Sequence, residues 1–203
     1  MQYDAEPARR RVSRAPAVFI DKDGTLVEDV PYNVDPTKLR LTAGAVEGLR
    51  LLSGAGYRLI VISNQSGIAL GRFDGAALVR LAQALRASLA AHGIELHAFH
   101  ACPHAPGPFG RPACLCRKPE PGLLHEAARR HRVDLARSWM IGDILDDVQA
   151  GHAAGCRSVL LDVGHETQWM PGPLRSPDLV ERDLEAAARA ILLRDAPDAR
   201  RAA

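Results

Sequence analysis

The chain has 203 residues and a formal charge of +2, enough length for one α/β domain with a sizeable core and too little net charge to mark a nucleic-acid binder. No apolar run reaches the roughly 18 residues of a membrane span and the N-terminus lacks a signal-peptide core, so the expectation is a cytoplasmic protein with no membrane partner. Of its four cysteines, Cys102, Cys114 and Cys116 cluster while Cys156 stands apart, a spacing that is no disulfide framework and fits a reducing compartment.

In chain order, Arg9, Arg10, Arg11 and Arg14 beside Pro7 and Pro16 read as a disordered leader over residues 1–15. Val18-Phe19-Ile20 is an apolar strand that ends abruptly in Asp21-Lys22-Asp23-Gly24. Two carboxylates one residue apart at a buried strand end repel unless a cation or hydrogen-bond donors offset the charge, which suggests a metal and a phosphate, with Gly24 letting the backbone turn closely around the ligand. The same residues also fit a plain strand-ending turn. Residues 27–42, with Asp29 and Tyr32, show no helical or alternating period and read as a loop over the sheet's ligand end. Val46, Leu49, Leu51 and Leu52 then give a helical stripe over 44–55, closed by Gly56. A second buried strand, 58–62, delivers Ser63-Asn64-Gln65-Ser66-Gly67 to the same end of the sheet. Asp74 caps a helix to His92 with Leu78, Leu81, Leu85 and Leu89 on one face. Residues 96–101 read as a third strand, in which His97 and His100 are ordinary strand residues.

Cys102, His104, Cys114 and Cys116 bracket a loop rich in Pro and Gly that has little apolar to fold around. Three thiols and an imidazole match the tetrahedral preference of structural Zn²⁺, which would supply the missing core; incidental free thiols are the alternative. Arg117 and Lys118 follow Cys116 directly, so a metal clamp would fix where both cations point. Pro121 opens a helix to His131, and a fourth strand, 138–141, ends in Gly142-Asp143-Ile144-Leu145-Asp146-Asp147. The next helix is expected over 148–154 with Asp146 as its cap, and Cys156, read as inert core, opens a strand to Leu161. Beyond Gly164 the chain is proline-rich until Asp183 caps a last helix through Leu193, and residues 196–203 read as frayed. Strands alternating with helices imply one domain over 16–195 with a zinc-binding loop at 102–116: a three-layer α/β/α, Rossmann-like fold with a parallel sheet.

Asp21-x-Asp23-x-Thr25, Ser63, Lys118, and Gly142-Asp143 with Asp147 occur in this order between residues 18 and 161. On these four motifs the chain resembles the haloacid dehalogenase (HAD) superfamily. Tyr32 with Pro36, the run from Ser63 to Ala69, Cys-Pro-His, and Cys-x-Cys-Arg-Lys-Pro extend the resemblance to its histidinol-phosphatase-like group, in particular the heptose-bisphosphate branch. The resemblance implies a small or absent cap and a Mg²⁺-dependent phosphatase. Asp21 is then the nucleophile that forms an aspartyl phosphate, and Asp23 protonates the departing sugar oxygen and later takes a proton from water. Mg²⁺ is expected on the side chains of Asp21 and Asp143 and the carbonyl of Asp23, with Ser63 and Lys118 on the remaining phosphoryl oxygens. Asp147 orients Lys118 or a metal-bound water. Asp29, Tyr32, Asn64, Gln65, Ser66 and Arg117 are expected to contact substrate, Arg117 reading a second anionic group because its planar fork suits a phosphate better than an amine.

The expected partner is thus a small phosphorylated sugar, a heptose bisphosphate cut at position 7, with histidinol phosphate as the alternative; the expected state is a monomer. Two features depart from the branch: Ile144 stands where a basic residue often follows the motif-four aspartate, and the loop from His104 to Cys114 is intermediate in length. A response-regulator receiver shares acids, a Ser or Thr and a Lys on a parallel sheet, but has no acid two residues after its phosphorylated aspartate. A zinc-loop interaction module with a vestigial site would not need all four phosphate-handling positions. Turnover of an aryl phosphate separates a phosphatase from both.

Overall fold

Ala17–Ile20 form β1, and all four residues are wholly buried, as a central strand covered on both faces requires. The computed structural model, which describes residues 14–108 and 113–196, flanks this strand with β2 (Arg58–Asn64) on one side and β4 (Trp139–Gly142) on the other. With β3 (Ala98–Cys102), β5 (Arg157–Leu161) and β6 (Leu179–Glu181) they make a six-stranded, all-parallel sheet in the order β3-β2-β1-β4-β5-β6.

The helices are α1 (Ala45–Gly54), α2 (Gly75–Ala90), α3 (Gly122–Arg130), α4 (Leu145–Ala153) and α5 (Leu184–Asp195). Alternate strand residues serve two cores. Val18, Ile20, Leu59, Val61, Trp139 and Ile141 pack against α1, α2 and α5, through Leu49, Leu52, Leu85, Leu89 and Ile191. Phe19, Ile60, Ile62 and Met140 pack on the other face against α3 and α4, through Leu124, Ala127 and Ala150. This is the three-layer arrangement that the strand–helix alternation predicts. Between β1 and α1 the chain forms a loop with one 3₁₀ turn, Pro36–Lys38, rather than an inserted helical unit. Among the described residues, no helix is long and apolar enough to cross a membrane.

Several local expectations shift. The segment after Gly164 is not all irregular, because Leu179–Glu181 adds β6 by pairing Leu179 with Val159. It is three residues long with Val180 half-exposed, so it carries no apolar run to announce it. Helix α4 starts at Leu145, three residues before the expected Val148, and Asp146 does not cap it; Asp146 pairs with Arg175 at 2.8 Å, while the Ile144 N–H donates to Asp147 Oδ2 at 3.4 Å. Helix α5 continues to Asp195, whose carboxylate accepts from Trp139 Nε1 at 3.0 Å and Arg157 Nη2 at 2.8 Å, and also from the Tyr57 hydroxyl.

Most of the expected leader and tail, residues 1–13 and 197–203, lies outside the described residues. Ala15, assigned to the leader, is paired: its N–H donates to Arg132 O at 3.2 Å, and its carbonyl accepts from Asp134 N at 2.9 Å. His97 precedes β3, while His100 lies on it and meets His131 at an Nε2–Nε2 distance of 3.1 Å. Burial holds both of these imidazoles below their ordinary pKa, so they pack as a neutral pair between β3 and the end of α3.

Candidate active site

In this strand order the sheet reverses direction of growth between β1 and β4, and a crevice opens outside their carboxyl ends. The sequence sends its polar clusters there. Asp21 leaves β1 with its N–H on Ile141 O at 2.9 Å, and its side chain stays largely buried. Asp143 follows β4 and Ser63 is the last residue but one of β2, both buried. Gly24 turns the chain back with φ 83°, and a Cβ there would lie 2.4 Å from Asp143 Oδ2, so the turn and the carboxylate can coexist only around a glycine.

Lys118 reaches this crevice from the loop before α3 and is buried. Its Nζ contacts Asp21 Oδ1, lies 2.5 Å from Asp147 Oδ1, and donates to Ile62 O at 3.0 Å. The contact with Asp147 is ionic rather than a directed hydrogen bond, since that oxygen has no hydrogen-bond partner of good geometry. Burial opposes charge on Lys118, but the two carboxylates hold its pKa above the ordinary lysine value. Burial pushes the Asp147 carboxyl up to about 8 against the pull of the Lys118 ammonium, and the charges of Asp21 and Asp143 add to the rise.

Asp23 is oriented by Lys22, which contacts its Oδ1, and by Gln65 Nε2, which donates to its Oδ2 at 3.0 Å. Burial raises the Asp23 pKa against the pull of Lys22, and the charge of Asp21 adds to the rise. Gln65 also donates to Ser63 Oγ at 2.8 Å, tying the ends of β1 and β2 together. Asn64, expected to touch substrate, holds the backbone of Lys118 with its side-chain amide: Nδ2 donates to Lys118 O at 3.1 Å and Oδ1 accepts from Lys118 N at 3.0 Å.

Beside Asp23 lies a cavity of about 300 Å³ lined in part by Asp29, Tyr32, Asn64, Gln65 and Ser66. Arg117 does not line it; its Nη1 faces His104 O at 3.3 Å. A larger cavity, about 490 Å³, sits at the opposite end of the sheet between Pro16, Tyr57, Arg137 and Asp195 and holds none of these residues.

Three carboxylates, those of Asp21, Asp143 and Asp147, bring oxygens within 4.8 Å of one another. Among the described residues, Lys118 is the one ammonium touching them, so the carboxyls outnumber the cation. The Asp143 pKa is raised first by burial and then by the charge of Asp21. An all-oxygen set of carboxyl donors suits a hard divalent cation such as Mg²⁺. A second group joins Cys102, His104, Cys114 and Cys116. Cys102 Sγ lies 3.4 Å from His104 Nδ1 and 3.6 Å from Cys114 Sγ, while Cys116 Sγ lies 3.2 Å from Cys102 Sγ and 3.3 Å from Cys114 Sγ. Zn–S bonds of about 2.3 Å put tetrahedral S···S distances near ~3.8 Å, so the donors stand close to the spacing one zinc needs.

Sequence reasoning missed three neighbours of the site. Lys22 reads as a strand-end charge yet is buried on Asp23. His165 Nδ1 lies 2.7 Å from Asp143 Oδ2, and Glu166 Oε2 accepts from Leu145 N at 2.7 Å, both from a segment whose composition signals only a loop. Thr25, noted as a motif position, is wholly buried and donates to Asp143 Oδ1 at 2.9 Å.

Residues 115–187 match the HAD-hydrolase-like family. The D-glycero-beta-D-manno-heptose-1,7-bisphosphate 7-phosphatase of Photorhabdus laumondii is 39% identical over 142 residues, 68% of this chain and 76% of that one. Its counterpart from Pseudomonas aeruginosa is 37% identical over 176 residues, 86% of this chain and 97% of that one. The crystal structure of D,D-heptose 1,7-bisphosphate phosphatase from B. bronchiseptica, complexed with magnesium and phosphate, matches with a TM-score of 0.77 at 33% identity, covering 88% of this chain and 99% of that chain. The chain belongs to the HAD superfamily of hydrolases, in the group these heptose bisphosphate phosphatases form.

Proposed function

We propose that the protein is a Mg²⁺-dependent phosphomonoester hydrolase that removes the 7-phosphate of D-glycero-β-D-manno-heptose 1,7-bisphosphate through an aspartyl phosphate on Asp21. The observation that carries this reading is the placement of Asp21, held on Lys118, two residues before an Asp23 whose carboxyl Lys22 and Gln65 orient beside the cavity. The names of the relatives and of the B. bronchiseptica structure support the substrate.

A carboxylate oxygen of Asp21 attacks phosphorus while the bond from phosphorus to the C7 oxygen breaks, and Asp23 donates a proton to that oxygen. Water then attacks the phosphorus, Asp23 takes its proton, and the bond to Asp21 breaks to release inorganic phosphate. Ser63 and Lys118 hold phosphoryl oxygens, and Asp147 and Asn64 hold Lys118 in place. Asp21, Asp143 and the carbonyl of Asp23 would hold Mg²⁺, which when bound offsets the negative charge of the phosphoryl group and the carboxylates. Gln65 fixes the Asp23 carboxyl, and Arg117 reads a second anionic group of the substrate.

On a substrate panel, kcat/KM for the heptose bisphosphate is expected to exceed that for histidinol phosphate at least about tenfold, or ~1.4 kcal/mol in transition-state binding. A preference for histidinol phosphate, or parity, rejects the substrate and leaves the phosphatase chemistry standing.

The Cys102, His104, Cys114 and Cys116 group is proposed to hold one structural Zn²⁺, since four protein donors leave no open position for substrate. Protein purified without added metal should carry about one zinc per chain by elemental analysis. Folded, active protein free of zinc would reduce the group to four neighbouring side chains.

A further inference from the structure

The cavity beside Asp23 has a wall that the chemistry above does not use. Tyr32, which lines it, is 49% exposed and holds a left-handed backbone at φ 55°, a conformation rare for a bulky residue and one that clusters at ligand sites. Over its ring lies the guanidinium of Arg72, with Cζ 5.5 Å from the ring centroid. Arg72 arrives there through a tight turn built directly onto the end of β2. Leu70 N donates to Ser66 O at 3.0 Å, Gly71 N to Ile68 O at 3.1 Å, and Arg72 N to Gly67 O at 2.8 Å. Phe73 packs so closely on Gly67 that a Cβ there would lie 2.1 Å from its ring, which brings the two ends of the turn together. The turn thus starts from the strand end that bears Ser63 and delivers a cation to the rim of the cavity.

The charge of that cavity makes the position informative. The ionisable side chains lining it are Asp23, Asp29 and Tyr32, so a second phosphate entering with the sugar meets acids and no cation. Among the described residues, the cation against this wall is Arg72, and it stacks on Tyr32 by its planar face, which leaves its N–H edges available for a phosphate. Arg117 lies outside the lining, turned to His104 O.

We propose that Arg72, carried on the Tyr32 ring, is a specificity-determining residue that binds the phosphate the enzyme does not cleave, selecting sugar bisphosphates over monophosphates. This rests on the bisphosphatase reading. It adds a second guanidinium, on the Tyr32 side of the site, to the role given to Arg117.

The test is steady-state kinetics on heptose 1,7-bisphosphate and on heptose 7-phosphate, which lacks the distal phosphate, with wild type, Arg72→Ala and Arg72→Lys. Arg72→Ala should lower kcat/KM for the bisphosphate about tenfold, mainly through KM, while kcat/KM for the 7-phosphate changes less than about twofold. Arg72→Lys should restore part of the loss, since it keeps the charge without the planar fork. Heptose 1-phosphate, the product that retains the distal phosphate, should inhibit Arg72→Ala about tenfold less well than wild type. Equal losses on both substrates, or no loss on either, would overturn the assignment of Arg72. Wild-type protein that cleaves an aryl phosphate but not the bisphosphate would overturn the substrate reading, and this inference with it.

Discussion

Asp21→Asn is expected to lower kcat by ~10⁴-fold or more with the fold intact, the scale of loss seen when a catalytic nucleophile is removed. The substitution keeps the shape of the side chain and removes its anionic oxygen. It also takes one carboxylate out of a group of three whose oxygens lie within 4.8 Å of one another and that touches one ammonium, so repulsion falls and Tm should not drop. Acid-quench trapping with a labelled phosphate donor should yield a phosphoprotein from wild type and none from the variant. A variant with a few per cent of the wild-type rate would rule out covalent catalysis through Asp21.

Lys118→Met is expected to lose both activity and stability. It removes the ammonium from between Asp21 and the fully buried Asp147, and breaking a buried pair from one side costs about 3–5 kcal/mol in comparable settings. Urea unfolding in a metal chelator should show that loss without a change in the slope that reports exposed surface. Adding Asp147→Leu to Lys118→Met removes the orphaned carboxylate and should recover most of the stability while activity stays lost. If Lys118→Met unfolds at the wild-type urea concentration, the ion pair carries no structural role.

The elements that carry the site were legible because each is an apolar run stopped by a polar cluster, as in Val18-Phe19-Ile20 before Asp21 and in 58–62 before Ser63. The carboxylate pairs, the serine and the lysine were found by type and order. The roles that depend on where one loop meets another were not legible. Asn64 sits in a polar cluster at a strand end, and only the fold shows its amide closing on the backbone of Lys118, 54 residues away. His165 lies 22 residues beyond Asp143 in a segment with no period, so nothing local ties it to that carboxylate. β6 went unseen because three half-exposed residues at a sheet edge need no apolar signature.

The position of β3 has a consequence for how the protein behaves in a crowded solution. An all-parallel sheet ends in two strands with unpaired backbone groups, each a template on which another chain can add a strand. β6 blunts one edge by being only three residues long. β3 is five residues long and ends at Cys102, where the chain turns into the four-donor group, while His131 from the end of α3 closes on His100 within the strand. The edge of β3 therefore offers an added strand no more than five residues before the chain turns away at Cys102.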